Sequence, residues 1–218
     1  MAKLYTLLLF VMLLVPTVRG EELPSGKNLD DPIIAVKSNL LFDAASLINF
    51  ELELPIGNRY SVAVEWLFPW WRWGNGLLSS HQHTLQMLQG TVEIRRFLGD
   101  RTQRAVMTGW FTSLYAGGGL YDYERNEAGY QGDFILAVGI GGGYAHTINR
   151  SGSLRMEYML GVGYLQSKYK YYRSMNTIDN QWHAVEVDNG NVYWFGLTRA
   201  KVSLVWLLTR RNLKGGVK

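Results

Sequence analysis

The chain has no cysteine among its 218 residues. That excludes disulfide scaffolds, cysteine-ligated zinc or iron–sulfur sites, a thiol nucleophile and an N-terminal lipid-modified cysteine. Charge is sparse as well: 18% of residues are charged, and no long charged run interrupts the chain, which argues against disorder and coiled coil. Proline is rare, with 5 residues against 24 glycines. Beyond residue 20 no apolar run reaches eighteen residues, so no transmembrane helix is expected. What the chain does have is aromatic side chains, 8 Trp, 13 Tyr and 8 Phe, in a length that suits one domain.

The first twenty residues have the features of a secretory signal. Lys3 supplies the positive start, residues 4–15 are apolar, Pro16 breaks the run, and Val18-Arg19-Gly20 offers a cleavage site after Gly20. The apolar run is short of the ~20 residues a spanning helix needs. Cleavage removes Lys3, Arg19 and no acid, so the formal charge falls from +4 to +2. No basic stripe remains, and nucleic acid is not an expected partner. The expected organisation is a signal peptide over 1–20, a polar periplasmic leader over 21–32, a strand-bearing domain over 33–208 and a polar tail over 209–218.

The mature chain has a period of two, the strand period. Eight segments alternate: 34–42, 48–56, 60–68, 86–97, 110–123, 133–147, 153–169 and 194–208. In the second, Ile48, Phe50, Leu52 and Leu54 oppose Glu51 and Glu53. Turn residues close three reversals: Gly57-Asn58, Gly99-Asp100-Arg101 and Asn149-Arg150-Ser151-Gly152. Three longer, aromatic, polar links, 69–84, 124–132 and 170–192, fall on the opposite side, together with the short link 43–47. Short periplasmic turns and long outer loops are the pattern of an outer-membrane barrel. The expectation is an all-β, eight-stranded antiparallel up-and-down transmembrane β-barrel in the outer membrane of a Gram-negative bacterium.

Alternation leaves open which face points outward, and a secreted lipocalin-like barrel would alternate in the same way. Three features favour the membrane. The polar faces collect Lys37, Arg95, Arg155, Arg199 and Lys201 against Glu51, Glu53, Glu65, Glu93 and Glu157, a balanced set suited to a structural ionic core in the lumen. Gly117 and Gly119, Gly139, Gly141 and Gly143, and Gly161 and Gly163 share those faces, leaving room in a narrow interior. Tyr60, Trp66, Phe68, Trp70, Trp71 and Trp73 are expected around one strand end. Tyr123, Tyr164 and Tyr169 come at equivalent heights and, with Trp206, complete the interface aromatics.

The segments Lys37-Ser38-Asn39-Leu40-Leu41-Phe42-Asp43-Ala44 and Glu53-Leu54-Pro55-Ile56-Gly57-Asn58-Arg59-Tyr60-Ser61-Val62 resemble the opening of a Bacteroidetes family, domain of unknown function 3575. Residues 66–71 (WLFPWW), Gly161-Val162-Gly163-Tyr164-Leu165 and the closing stretch Phe195–Lys201 with Ser203–Leu207 resemble its later blocks, with Leu197 where that family is expected to carry Pro. The resemblance runs from about Lys37 to Leu208. It implies a small outer-membrane barrel, often encoded near fimbrial or surface-assembly genes, and it supplies no catalytic residues.

Candidate chemistry is thin. His81 and His83 would point the same way on an extended chain and could support a metal ion, but no third ligand is evident. Ser79 or Ser80 with either histidine, oriented by Asp43 or Glu124, is the best constellation for a lipid-modifying barrel enzyme. Gly139 to Gly143 precede no helix and do not form a phosphate loop. Glu51 and Glu53 share one strand and suit ion pairing better than acid–base work. The expected role is therefore structural, anchoring or interaction, with no turnover, no cofactor and no bound metal. Its partners would be outer-membrane lipid and, through loops 69–84 and 170–192, surface or fimbrial assembly proteins. A lipid-modifying enzyme and a narrow channel remain the competing classes.

Overall fold

A computed structural model describes residues 32–45, 47–57, 59–68, 71–73, 83–99, 105–125, 128–176 and 182–209. The expected signal peptide, the leader before residue 32 and the tail beyond Thr209 lie outside the described residues. The strands are β1 (Pro32–Asn39), β2 (Ile48–Ile56), β3 (Tyr60–Phe68), β4 (Trp71–Trp73), β5 (His83–Phe97), β6 (Gly109–Arg125), β7 (Ala128–Thr147), β8 (Leu154–Asn176) and β9 (Trp182–Thr209). One helical turn, α1 (Leu40–Ala44), follows β1.

The nine strands form one antiparallel sheet. Each ring strand pairs with its neighbours, β1 pairs with β9, and β3 pairs with β5, so eight strands close in a ring. β4 pairs with β5 outside that ring. The register climbs as it goes round. Val36 pairs with Leu52, then Val64, Val92, Ala116, Val138, Tyr164 and finally Phe195. Phe195 lies eight residues before Ser203, the residue nearest it on β9 that pairs with β1. A stagger of that kind accompanies a strand tilt of roughly 35–45°.

β2 and β3 form with the expected bounds, because apolar and polar residues alternate without interruption between Gly57 and the strand ends. Three differences have physical causes. Residues 40–42, expected to continue β1, turn into α1: the Asn39 side chain accepts from Leu41 N (3.2 Å) and from Val202 N (3.2 Å), ending the β1–β9 ladder. Asp43 then accepts from Ser38 Oγ and Asn49 Nδ2, both at 2.7 Å. Segments 124–132 and 170–192, expected as loops, are mostly strand, with pairing up to Arg125↔Ala128 and Asn176↔Trp182. There the strands rise above the ring and both faces are largely accessible, so one-sided alternation disappears. Cross-strand rings replace it: Tyr130 packs against Tyr169 at 6.0 Å and Tyr171 at 4.7 Å.

The ring interior is layered. At the end where the short turns lie, Ala35, Phe97, Phe111, Ala145, Met159, Val205 and Leu207 form an apolar layer, and the turn after residue 104 inserts Met107 into it, with Val106 packed alongside. Met107 holds a left-handed backbone, φ 61°, a conformation costing about 1–2 kcal/mol without glycine. Above this layer comes a charged one, described below.

Glycine sets the room available on β7. A Cβ at inward-facing Gly139 would run into the Val162 carbonyl oxygen and Tyr115 hydroxyl, whereas at outward-facing Gly142 the nearest atom, Phe111 O, is 3.7 Å away. Gly139→Val should therefore destabilise the fold by about 1–3 kcal/mol or more through overpacking, and Gly142→Ala by far less. Thermal unfolding followed by circular dichroism checks this; equal transitions would contradict the packing assigned to β7.

Candidate functional site

The charged layer is built from strands that alternate. Every second residue of β1, β2, β3, β5, β8 and β9 points inward, which brings Lys37, Glu51, Glu53, Glu65, Glu93, Arg95, Arg155, Glu157, Arg199 and Lys201 into one interior. Arg95 is its centre, with a fully buried side chain. Its Nε donates to Glu93 Oε1 (2.8 Å) and its Nη1 to Glu53 (3.0 Å) and Glu157 (2.9 Å). Its Nη2 donates to Glu51 (3.1 Å) and Glu93 (3.0 Å). One guanidinium, a rigid fork of five donors, thus ties together β2, β5 and β8. Its plane also lies over the Phe111 ring, 5.0 Å from the centroid.

The lysines complete the set. Lys37 meets Glu53, Glu157 at 2.8 Å and Glu51 at 3.3 Å. Lys201 meets Glu51 and, more distantly, Glu65 and Glu93. Arg199 meets Glu65 and, at 3.3 Å, Glu93, and stands 5.2 Å from the Tyr115 ring centroid. Every glutamate of the layer has at least two cationic partners. That matters because an uncompensated buried charge costs several kcal/mol, and removing one member of a buried pair typically costs about 3–5 kcal/mol.

Arg155 does something different from its four companions. Its Nη1 donates to the carbonyl oxygens of Val106 (2.6 Å) and Met107 (2.8 Å), so it pins the turn that fills the short-turn end. Sequence pattern identified Arg155 as inward-facing but could not reveal this partner, since the turn has no periodicity.

Between the charged layer and the long-strand end lies a cavity of about 520 Å³. Glu65, Arg199 and Lys201 form its floor. Leu41, Phe42 and Leu47 lie at its upper rim, and Leu67 and Ala137 line its sides. Tyr115 Oη and Thr198 Oγ1 are 2.5 Å apart across one wall. Nothing in the sequence marked this space; α1, which covers part of it, replaces residues expected as strand.

The aromatic set divides differently from expectation. Phe68 pairs with Ile48 at the long-strand end, whereas Tyr60 pairs with Ile56 and Arg96 at the short-turn end. β3 crosses the ring between residues 60 and 68, so neighbours in sequence become opposite ends in space. Trp206, opposite Val36 and Leu154, is also nearer the short-turn end. There it joins a group that the sequence reading missed: Trp110 packs on Tyr144 (5.0 Å), and Tyr144, His146 and Tyr158 stack in a row. Trp66, Phe68 and Tyr123 are exposed, and Tyr164 and Tyr169 half-buried. Trp70 and the side chains of Trp71 and Trp73 lie outside the described residues.

So do Ser79, Ser80, His81 and the His83 side chain. Of the acids set beside them, Asp43 is engaged by Ser38 and Asn49 as above, and Glu124 is exposed on β6 beside Thr84. Among the described residues no cluster of three His, Asp or Glu could hold a metal ion.

A family model described as Protein of unknown function (DUF3575) matches residues 6–208, nearly the whole chain. The chain belongs to DUF3575. No curated protein and no solved structure matches it. For this DUF3575 protein the charged layer and the cavity above it are therefore understood from their own geometry.

Two substitutions separate the roles of the arginines. Arg95→Met leaves four glutamates short of a partner and should cost about 3–5 kcal/mol. Arg155→Ala removes two charge-assisted hydrogen bonds to carbonyls and should cost about 2–3 kcal/mol, against almost nothing for Arg173→Ala on the exposed part of β8. Urea unfolding midpoints measure all three; an Arg155→Ala midpoint equal to that of Arg173→Ala would contradict the pinning role.

Proposed function

We propose that this DUF3575 protein is a small eight-stranded outer-membrane β-barrel with an anchoring or surface-interaction role and no turnover. The observation that carries the reading is the inversion of its two faces. Inside the ring Arg95, Glu53 and Glu93 are at most 1% exposed, while on the outside Leu114 is 59%, Ile140 62% and Val162 49% exposed. A water-soluble barrel has the opposite arrangement. Apolar area left in water forfeits about 25 cal/mol per Å², and a lipid bilayer is the surrounding that recovers it around a closed ring.

Dimensions support the same reading. A nine-residue strand such as β2 or β3, at about 3.3 Å per residue and 40° of tilt, rises about 23 Å, close to the ~25 Å apolar band of outer-membrane barrels. Exposed rings at the long-strand end (Trp66, Phe68) and the short-turn end (Tyr60, Trp110, Trp206) suit two interface belts. The short turns then face the periplasm. The upper parts of β5–β9 stand outside the cell as a sheet whose faces are available to surface or fimbrial components, the partners the family resemblance implies.

The cysteine-free chain makes the orientation directly testable. A cysteine at Glu186, exposed on upper β9, should react with a membrane-impermeant maleimide on intact cells. One at Arg150, in the β7–β8 turn, should react only after the outer membrane is permeabilised. Unboiled protein should also migrate differently from boiled protein in detergent gels, as closed barrels do. Equal labelling of both sites, or identical mobility with solubility in the absence of detergent, would overturn the proposal.

A further inference from the structure

The cavity above the charged layer is within the size range of small-molecule sites, and its lining is graded. Charged groups make the floor, and Leu41, Phe42, Leu47 and Leu67 make an apolar upper wall. Several buried side-chain polar atoms have no hydrogen-bond partner among the described residues, and Arg199 Nε is the one that belongs to a cavity-lining residue. The Arg199 side chain is 9% exposed. A buried guanidinium N–H without an acceptor is costly, and an occupant bearing an acceptor at the floor would remove that cost. The Tyr115–Thr198 hydroxyl pair adds a donor, because two hydroxyls sharing one hydrogen bond leave the second O–H free to donate.

Charge decides what kind of polar end fits. The interior already balances five cations against five carboxylates, and the two cations on the floor are paired to Glu65. A further ionised group would be buried with no counter-charge of its own. An uncharged acceptor, such as a hydroxyl, ester or amide oxygen, meets Arg199 Nε without disturbing that balance. There is also a way in from the side. Among the described residues β9 has no ladder partner on its β1 edge above Ser203, and α1, which packs against β9, closes the wall there with side chains.

We propose that this cavity binds a single-chain amphiphile with an uncharged, acceptor-bearing polar end. The polar end sits on Arg199 and the Tyr115–Thr198 pair, and the hydrocarbon chain runs along Leu47 and Leu67 beneath α1. Binding requires the cavity alone. Entry from a lipid leaflet rests on the outer-membrane reading, and because the binding experiment uses no membrane the two can fail separately.

The test uses the full chain exchanged from detergent into an amphipathic polymer. Monododecanoyl glycerol, dodecanoate and dodecylammonium are titrated below their micelle concentrations and followed by calorimetry. The expected result is saturable one-to-one binding of monododecanoyl glycerol, with both charged analogues at least tenfold weaker. Ala137→Phe, which places a ring in the cavity, should weaken binding at least tenfold. Thr198→Val, which keeps the shape and removes the hydroxyl, should weaken it at least threefold and carries the test if the larger substitution does not fold. Gel mobility of unboiled samples reports folding independently. No saturable binding to the folded wild-type chain, equal affinity for the charged analogues, or unchanged affinity in the folded variants would overturn the proposal.

Discussion

Charge neutrality inside a narrow ring is the constraint on which this fold depends. The β ladders hold each strand to its two neighbours and nothing more. What reaches across the interior is the ionic layer: Arg95 on β5 to Glu53 on β2 and Glu157 on β8, Lys37 on β1 to Glu157, and Lys201 on β9 to Glu51. These contacts join strands that are not neighbours in the sheet, so the layer fixes the cross-section of the ring as well as its stability. Because low-dielectric burial makes both the attraction and the penalty for a missing partner large, the set tolerates little change in membership.

The same interior explains where glycine and aromatic residues went. Arg95 and Phe111 occupy the middle of the ring, and the walls opposite them must be thin; the inward positions of β7 at Gly139, Gly141 and Gly143 provide that thinness. At the short-turn end the filling becomes apolar and is completed by a turn, with Met107 held in a strained backbone by burial and by Arg155. Among the described residues the opposite end lacks such an apolar plug, and the cavity lies there.

Much of this was legible in the sequence because strand alternation is a local signal. Ile48–Ile56 and Tyr60–Phe68 could be read residue by residue, and the ten charged residues on the polar faces all point into one interior. The signal failed where its cause failed. Above the ring, Tyr169 to Tyr172 and Val185 to Val192 belong to strands with no single buried face, so pairing there rests on backbone hydrogen bonds and on rings such as Tyr130 against Tyr171. α1 was hidden for another reason. Asn39 ends β1 through a contact with Val202, far along the chain, and no local pattern encodes it. The cavity, the Tyr115–Thr198 pair and the Arg155 hold on the 106–107 carbonyls are likewise long-range, joining residues 48 to 83 positions apart.

β9 is far longer than the strand it closes against, 28 residues beside the 8 of β1, and among the described residues this leaves a hydrogen-bonding edge without a ladder partner, of the kind that invites self-association. Two copies of the proposed barrel standing in one membrane are protected from that hazard by geometry alone. Rotation about the membrane normal leaves both β9 strands running in the same sense, and tilts of about 40° make facing strands cross at about 80°. Neither an antiparallel nor a parallel ladder can form at such a crossing. An open edge that would be a liability in a protein free to tumble is kept solitary by the proposed membrane orientation.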